Sequence, residues 1–577
     1  MILRILFAFV LIATGCILNA QDEGGGGRLS GRLEANGNFF QADSAIGAIN
    51  TPQYDRQLYG ADAWLNLTYA YRGFEFGVRF DMFNNSNLLN PLASYTDQGI
   101  GNWYIKKRVE RLEITGGYIY DQIGSGTIFR SFEQRPLLID NALFGIRLVY
   151  DINDDWRIKV LSGRQKRLFE VYEPIIRGGS IDGFIALNES GTVSLAPGAG
   201  VMARTFDDET METIVNTISS YTPVDSIGAQ YNTYAFSFFN TLVAGPFTWY
   251  IEGAIKTKDV FNDPFAEKLN WTGTVSRGKL VNRPGNIVYT SMSYAKKGFG
   301  MTLEFKRTED FTFRANPFVA LNRGMINYLP PMTRVNTYRL NARYAAATQE
   351  LGELAVQGEF SYAPSRKWRF DLNVSNIESL RPLFPLDEDE PQPILTDNDL
   401  LYREIHLQVT HKPSRKVSML GGFQIQNYNQ EVYEGKRGAG ILQTFAPFGE
   451  VLFKLDRKKA LRLEAQYMLM NRDAKDQRKD YGNWLFALAE FSIAPHWSFT
   501  VSDMFNASPG KNTPPVDQPV EDKEDIHFPR FDIYYTNKTN RFSLSYVKQV
   551  EGIVCTGGIC RLEPAFSGVK MTVNSSF

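Results

Sequence analysis

The fold of this chain is decided by stretches such as Gly73-Phe-Glu-Phe-Gly-Val-Arg-Phe-Asp-Met82. Apolar side chains occupy every second position from Phe74 to Met82, and glycine or charged residues fall between them. Because successive side chains of a β-strand point to opposite faces, this period of two predicts a strand with one apolar and one polar face.

The same alternation recurs along the chain, for example over residues 112–120, 368–374 and 542–546. The alternating segments run to about 9–14 residues, whereas most globular strands have about 5–6 and a tilted strand crosses a bilayer with about 9–11. After residue 20 there is no apolar run of the roughly 18 residues that a transmembrane helix needs. The pattern predicts an all-β protein whose strands span a membrane.

Short polar turns, such as residues 72–73, 153–155 and 537–540, tend to alternate with long polar stretches predicted to be loops, such as 123–142, 260–284 and 378–399. Short turns at one end and long loops at the other are typical of outer-membrane barrels. Hydrocarbon cannot satisfy the backbone groups of an exposed strand edge, so a membrane sheet must close on itself. We therefore predict a closed antiparallel transmembrane β-barrel with long external loops.

The segments number about 23, and both termini on one side of the membrane require an even count. Reading Phe311 to Val319 as a returning strand gives 24, and we expect about 22–26 strands. The longest interruption, residues 167–227, is predicted to be a loop insertion with one short helix near Asp207 to Ser219. That helix needs a surface to pack against, in the lumen, on other loops or on a partner protein.

Residues 1–20 read MILRILFAFVLIATGCILNA, a basic residue followed by an apolar run and small residues, which predicts a secretory signal peptide. Lipidation at Cys16 is the alternative. Residues 21–27 contain four consecutive glycines and are predicted to be a flexible linker. Residues 28–577 are predicted to form a single barrel domain.

Two cysteines follow the signal peptide, Cys555 and Cys560, on either side of Gly557-Gly558. An exported protein meets oxidising conditions, and the glycines allow a tight reversal, so we predict a local disulfide. A metal site would need two further soft ligands, and the sequence offers none nearby.

Composition argues against several classes of function. The chain has 62 Lys+Arg against 63 Asp+Glu and only 4 His, so it has no basic excess for nucleic-acid binding. It has no phosphate-binding loop, HExxH or GxSxG motif. We therefore assign no catalytic residue, cofactor or metal ligand, and we do not predict an enzyme.

Two regions, near residues 126–147 and 314–343, are unusually rich in arginine and acidic residues for a barrel wall. Charges on the lipid face cost about 2–4 kcal/mol at mid-depth, so these side chains should point into the lumen. There they would either form a solute-selecting constriction or fill the lumen with ion pairs. The candidate lumen residues are Arg130, Glu133, Arg135, Asp140, Arg147, Arg314, Arg334, Arg339 and Arg343.

The final segment, Phe566 to Phe577, alternates and ends on an aromatic residue. It resembles the terminal strand by which the barrel-assembly machinery recognises its substrates. From the signal peptide to Phe577, the chain resembles the porin-like outer-membrane β-barrel proteins of Gram-negative bacteria. Within them it is similar to a poorly characterised family of large barrels without a plug. The resemblance implies an outer-membrane location, lipid contact and assembly by that machinery, and it brings no assigned substrate.

The leading hypothesis is a porin-like channel for small hydrophilic solutes. The alternative is a non-conducting structural or accessory subunit of an outer-membrane assembly, with a possible protein partner at the external loops.

We predict that the protein fractionates with outer membranes and migrates anomalously in gels unless it is boiled, because a closed barrel resists detergent. Recovery in the soluble periplasmic fraction would overturn the barrel interpretation.

Overall fold

A computed structural model describes residues 27–319, 323–380, 400–435, 441–470, 482–509, 526–556 and 559–577. It forms a closed antiparallel barrel of 24 strands, so the predicted fold class and strand range are confirmed. The barrel closes where the last strand pairs with the first, with Phe39 opposite Val569 and Arg32 opposite Ser576. Phe577 continues this ladder by exchanging two backbone hydrogen bonds with Gly31, of 2.8 and 3.0 Å.

The wall strands β1 to β24 are, in chain order, Arg28–Phe40, Tyr59–Tyr71, Phe74–Ser86, Tyr95–Val109, Leu112–Ile119, Leu143–Asp151, Trp156–Arg167, Glu170–Gly183, Val193–Thr205, Asn232–Ala244, Phe247–Leu269, Val275–Lys296, Phe299–Glu309, Gly352–Ser365, Trp368–Ser379, Leu400–His411, Val417–Asn429, Ile441–Lys454, Lys459–Met470, Gly482–Ile493, Trp497–Pro509, His527–Asn537, Asn540–Gln549 and Phe566–Ser576. The α-helices are α1, Asp208–Ser219, and α2, Gln430–Glu434. Single helical turns lie at Ser44–Ile46, Gln53–Gln57 and Arg135–Leu137. Minor strands lie at Gln122–Ile123, Phe129–Arg130, Glu133–Gln134, Ile139–Asp140, Ile185–Ala186, Gly552–Thr556 and Ile559–Glu563.

The alternation of side chains places apolar residues on the outside of the wall. In β15, Trp368, Phe370 and Val374 are exposed on the outer face, whereas Asn373 and Ser375 point inward and are buried. In a transmembrane barrel the outer face meets lipid, so these exposed apolar residues cover the barrel with an apolar band.

Connections differ between the two ends of the barrel. Two-residue turns at 72–73, 110–111, 245–246, 297–298, 366–367 and 538–539 mark one end, which we call the turn end. The opposite end, the loop end, carries most of the longer connections, although it also has a two-residue turn at 168–169, and the nine-residue connection 184–192 is at the turn end. β1 begins at the turn end, and β24 ends there.

The structure corrects three boundaries. Residues 311–319 are not a wall strand, because the chain leaves the wall after Glu309 and enters the lumen. The predicted insertion 167–227 is not one loop, since it contains the wall strands β8 and β9, and the helix lies in the connection that follows β9. The predicted loop 260–284 is a long hairpin in which β11 and β12 continue pairing as far as Leu269 and Val275.

The predicted helix is confirmed as α1. Asp207 caps it by accepting a hydrogen bond of 2.9 Å from the Thr210 N–H, which satisfies a free backbone donor of the first turn. Its apolar face, with Met211 and Ile214, packs in a cluster with Val260 and Leu280 of the β11–β12 hairpin. Of the three surfaces considered for the helix, it therefore uses the neighbouring loop-end structure. Among the described residues no helix is long and apolar enough to span a membrane.

Two connections from the loop end lie inside the barrel. One is the β5–β6 loop, residues 120–142, and the other joins β13 to β14 and is called here the inner segment, residues 310–351. With strands about 4.8 Å apart and tilted about 40°, a ring of this size has a backbone diameter of roughly 45–50 Å. A lumen this wide accommodates both connections, and the expectation of a barrel without a plug is not confirmed.

The signal peptide, the lipidation alternative at Cys16 and residues 21–26 of the predicted linker lie outside the described residues.

The two cysteines lie on a small hairpin at the loop end, where Gly552–Thr556 pairs with Ile559–Glu563 and Cys555 stands directly opposite Cys560. Residues opposite each other in an antiparallel pair are about 4.5–5.5 Å apart at Cα, which is within the range that a disulfide spans. We predict one intramolecular disulfide in exported protein, detected by mass spectrometry as a linked peptide. Two freely alkylated thiols in non-reduced protein would contradict it.

Candidate functional site in the barrel lumen

The inner segment leaves the wall and returns to it at one point. The Asp310 N–H donates to the Leu351 carbonyl at 3.1 Å, and the Phe311 N–H donates to the Glu350 carbonyl at 2.9 Å. These bonds continue the β13–β14 ladder, in which Glu309 faces Gly352. The inner segment is therefore a long insertion between two strands that otherwise pair as a hairpin.

The first half of the inner segment is bound to the β5–β6 loop. The Arg130 N–H donates to the Ile326 carbonyl at 2.9 Å, and the Tyr328 N–H donates to the Gly126 carbonyl at 2.9 Å. Asn141 donates from its side-chain amide to the Met325 carbonyl at 2.9 Å. Phe311 and Phe313, both fully buried, pack with Ile326 in an apolar cluster that includes the inward face of the wall.

The second half crosses to the opposite wall. The Leu340 N–H donates to the Gln466 side-chain carbonyl at 2.7 Å, and the Gln424 side-chain amide donates to the Asn341 carbonyl at 3.2 Å. The Tyr338 ring stacks on Phe448 with 4.3 Å between centroids. Since these wall residues lie within β17, β18 and β19, the segment reaches well below the loop end.

The wall strands around this half carry apolar residues on their inward face. Trp484, Phe486, Met504 and Phe528 are all less than 9% exposed and form one cluster with Leu340 of the inner segment. A water-filled pore would leave such side chains in water, at a cost of about 1.5–3 kcal/mol for each large one. The inner segment therefore covers an apolar surface that the wall itself presents.

The predicted residues of the β5–β6 loop form a closed ionic network. Arg79 of β3 donates to Glu133 and Asp140, each at 2.7 Å, and Arg135 donates to Glu133 and to Glu34 at 2.8 Å. Asp140 also accepts from Lys166 and, at 2.8 Å, from Tyr120. Burial alone would raise the pKa of Asp140, but Lys166 and Arg79 outweigh it and lower that pKa.

Two further predicted arginines are paired with carboxylates. Arg147 of β6 points inward and donates to Glu113 at 2.7 Å and to Asp121 at 2.9 Å. Arg314 donates to both carboxylate oxygens of Glu350 at 2.8 and 3.0 Å, which ties the start of the inner segment to its end. These two arginines therefore hold neighbouring parts of the interior together.

Three others contact aromatic or imidazole groups. The Arg130 guanidinium lies 4.1 Å from the centroid of the Tyr328 ring, and the Arg343 guanidinium lies 4.3 Å from that of Trp484. Arg334 contacts the His406 Nδ1 atom at 3.1 Å. Arg339 and Arg343 lie on the inner segment, which has no strand at these positions.

Arg339 differs from the other eight predicted residues. Its side chain is exposed to the interior, and no described carboxylate lies within ion-pair distance of it. It lines a cavity of about 560 Å³ between the inner segment and the inward faces of β20 to β23. The predicted set therefore divides into residues of carboxylate-paired networks, three arginines on aromatic or imidazole groups, and Arg339 at a cavity.

Sequence analysis missed several interior charges. Lys306 of β13 and Glu353 of β14 form a fully buried ion pair of 2.7 Å, and Arg204 of β9 pairs with Asp259 of β11 at 2.7 Å. Each lies at a polar position of an alternating strand, as Arg79 does in β3. That signal marks an inward side chain, but it does not identify its partner on another strand.

The described residues contain no group of three or more His, Cys, Asp or Glu side chains that could hold a metal ion.

Family membership follows from a match to the whole chain. The model of a family described as "Family of unknown function (DUF6029)" matches residues 1–577. The chain belongs to this family. No curated protein matches this DUF6029 chain.

Several solved structures are similar in outline to this DUF6029 protein. The siderophore receptor PirA from Pseudomonas aeruginosa has a TM-score of 0.39 at 8% identity, covering 95% of this chain and 80% of that one. The translocation pore of the P pilus usher PapC has a TM-score of 0.41 at 10% identity, covering 95% and 99%. The outer membrane transporter YddB from Escherichia coli has a TM-score of 0.40 at 7% identity, covering 95% and 81%. The strand ladder of this chain itself carries the fold assignment.

The buried pair of Lys306 and Glu353 provides a stability test. Glu353→Gln leaves an uncompensated ammonium group in a dry site, and we expect it to destabilise the barrel by about 3–5 kcal/mol. Lys306→Met together with Glu353→Met removes both charges and should cost clearly less. The measurement is the temperature at which the folded gel band converts to the unfolded one. A double variant less stable than Glu353→Gln would contradict the pairing.

Proposed function

We propose that this chain is an outer-membrane barrel that is closed at rest by its own inner segment and conducts small hydrophilic solutes when that segment moves. The observation that carries the proposal is the inner segment itself, which crosses a wide lumen and packs on both walls. The proposal keeps the predicted channel and replaces its permanently open lumen with a gated one.

A membrane location is supported by aromatic pairs on the outer face near the turn end. Stacked or neighbouring rings occur at Tyr69–Tyr71, Phe74–Phe76, Trp368–Phe370 and Trp497–Phe499, all at the turn-end limits of their strands. Aromatic girdles of this kind mark the interface between lipid and water in transmembrane barrels. The proposal places lipid against this face and makes β24, ending at Phe577, the strand offered to the barrel-assembly machinery.

A movable inner segment is supported by the kind of contacts that hold its second half. Gln466 and Gln424 bind its main chain through uncharged hydrogen bonds, which contribute about 0.5–1.5 kcal/mol each. The first half, by contrast, starts with the Arg314–Glu350 pair at the neck. The second half is thus tied to the wall by weaker polar contacts than the neck, and its apolar contacts are the main opposition to its movement.

A non-conducting structural subunit remains the second candidate. The observation that favours it is the ionic network of Arg79, Glu133, Arg135 and Asp140, whose charges satisfy one another and offer no open polar path in that sector. In this alternative the inner segment never leaves the wall.

Removal of the inner segment tests the closure. We predict that replacing residues 312–349 by Asn-Gly, a favoured two-residue hairpin turn, converts a silent barrel into one with large, stepwise conductance in planar bilayers. The wall should survive, because Phe311 and Glu350 already pair across the neck. As a matched control, the same turn replaces residues 188–192 at the turn end, outside the lumen. Equal conductance of the native protein and the shortened variant would rule out closure by the inner segment.

Loosening the inner segment separates the two candidates. Gln424→Ala with Gln466→Ala removes two side chains that bind the main chain of the second half, and a gated channel should then open more often. Asn66→Ala with Asn240→Ala, on β2 and β10 away from the inner segment's second half, serves as the control. A loosened variant that stays silent while the shortened variant conducts would favour the structural subunit.

A further inference from the structure

We infer that the cavity beneath the inner segment binds a small amphipathic organic anion, an apolar body with one acidic group, with Arg339 as its anchoring cation. This inference rests on the proposed function and names the chemical class of ligand for its lumen.

The cavity has the size and position of a ligand site. Its volume of about 560 Å³ lies within the roughly 300–1,000 Å³ that small-molecule sites occupy. Its lining runs from Pro495 and Thr536 at the turn end to Phe486, Met504 and Phe528 of the apolar cluster. A ligand would therefore reach it from the turn end.

The charges of the cavity are not balanced. Four cationic side chains line it, Arg339, Arg530, Arg541 and Lys548, against two acidic ones, Glu490 and Asp532. Both acidic groups already have cationic partners. Arg530 binds Asp532 through bonds of 2.8 and 2.9 Å, and Glu490 lies 3.5 Å from Arg462. A cation entering the cavity would find no free carboxylate among these lining residues.

Among the described residues Arg339 has no carboxylate within ion-pair distance; Glu563, whose charge acts on it from farther away, pairs with Arg561 at 3.1 Å. The enclosed position of Arg339 and the guanidinium groups of Arg343 and Arg530 lower its pKa to about 10, so it stays charged at neutral pH. Its side chain is nevertheless exposed to the cavity. Arg339 is thus close to like charges but can be reached from the cavity. An acidic group that binds its guanidinium bidentately would stabilise it.

The walls of the cavity, in contrast to Arg339, favour an apolar group on the ligand. Phe486, Leu488, Met504 and Phe528 line the cavity with apolar side chains, and the first, third and fourth are buried. A small inorganic anion would satisfy Arg339 without contacting these apolar side chains. An aromatic or aliphatic body with one acidic group satisfies both parts of the cavity.

The ligand would also connect the inner segment to the wall. Arg339 belongs to the inner segment and Arg530 to β22, and both line the same cavity. An anion that accepts from both is bound more tightly when the inner segment is in place. By linkage, such a ligand stabilises the closed barrel and lowers its probability of opening.

The test is calorimetric titration of the full-length, folded barrel with naphthalene-2-carboxylate, with the neutral naphthalene-2-carboxamide as the matched probe. We expect saturable binding of the carboxylate with a stoichiometry of one and much weaker binding of the amide. Arg339→Gln should weaken carboxylate binding about 10- to 100-fold, the loss expected for one charged hydrogen-bonding group. Arg339→Lys should retain part of it. Arg369→Gln, which changes an exposed arginine paired with Asp371 on β15, should leave binding unchanged.

Three results would overturn the inference. They are an absence of saturable carboxylate binding, equal binding of carboxylate and amide, and undiminished binding by an Arg339→Gln variant that keeps its folded gel band. Because the titration needs no conductance, it fails separately from the proposed function. A barrel that binds the anion and never conducts would refute gating alone, whereas a gated barrel that ignores the anion would refute this site alone.

Discussion

The structure depends on the requirement that every backbone N–H and C=O in a bilayer has a partner. A sheet satisfies it only by closing, and here β1 and β24 complete the ring. A ring of 24 strands then encloses a lumen far wider than the side chains of the wall can fill. The interior of this protein is the consequence, since two loop-end connections fold inward to occupy the space that closure creates.

Because the lumen can hold water and the bilayer cannot, apolar side chains need cover on the inward face of the wall but not on its outer face. Apolar residues on the outer face meet lipid, whereas Trp484 and Phe528 on the inner face would meet water unless another segment covers them. Charges follow the same logic, because Lys306 is fully buried inside the barrel and has Glu353 beside it. The sector of the β5–β6 loop is fixed by ion pairs, whereas the inner segment is held against β17 to β20 by apolar packing, uncharged hydrogen bonds and the contact of Arg343 with the Trp484 ring.

The alternation of residues was sufficient to predict the barrel, its approximate size and the inward direction of charged side chains. It was insufficient where alternating residues pack inside the lumen instead of facing lipid. Phe311, Phe313 and Ala315 alternate like a lipid-facing strand, but they face an apolar cluster in the lumen. Alternation shows that one face is apolar and does not show whether lipid or protein covers it. The pairing of Arg135 with Glu34 and of Arg147 with Glu113 depended on which segments become neighbours, which no single segment encodes. The exceptional position of Arg339 depended on the path of the inner segment.

Hydrogen–deuterium exchange of the inner segment in the folded, membrane-embedded barrel tests the central claim most directly. The amides of Ile326, Tyr328, Leu340, Ala342 and Arg343 all donate hydrogen bonds inside the lumen. A barrel closed at rest predicts that these amides exchange far more slowly than in the unfolded chain, and that those of Leu340 and its neighbours become faster when Gln466 is replaced by alanine. Exchange as fast as in the unfolded chain would mean that the inner segment does not occupy the lumen, and closure by this segment would then be wrong.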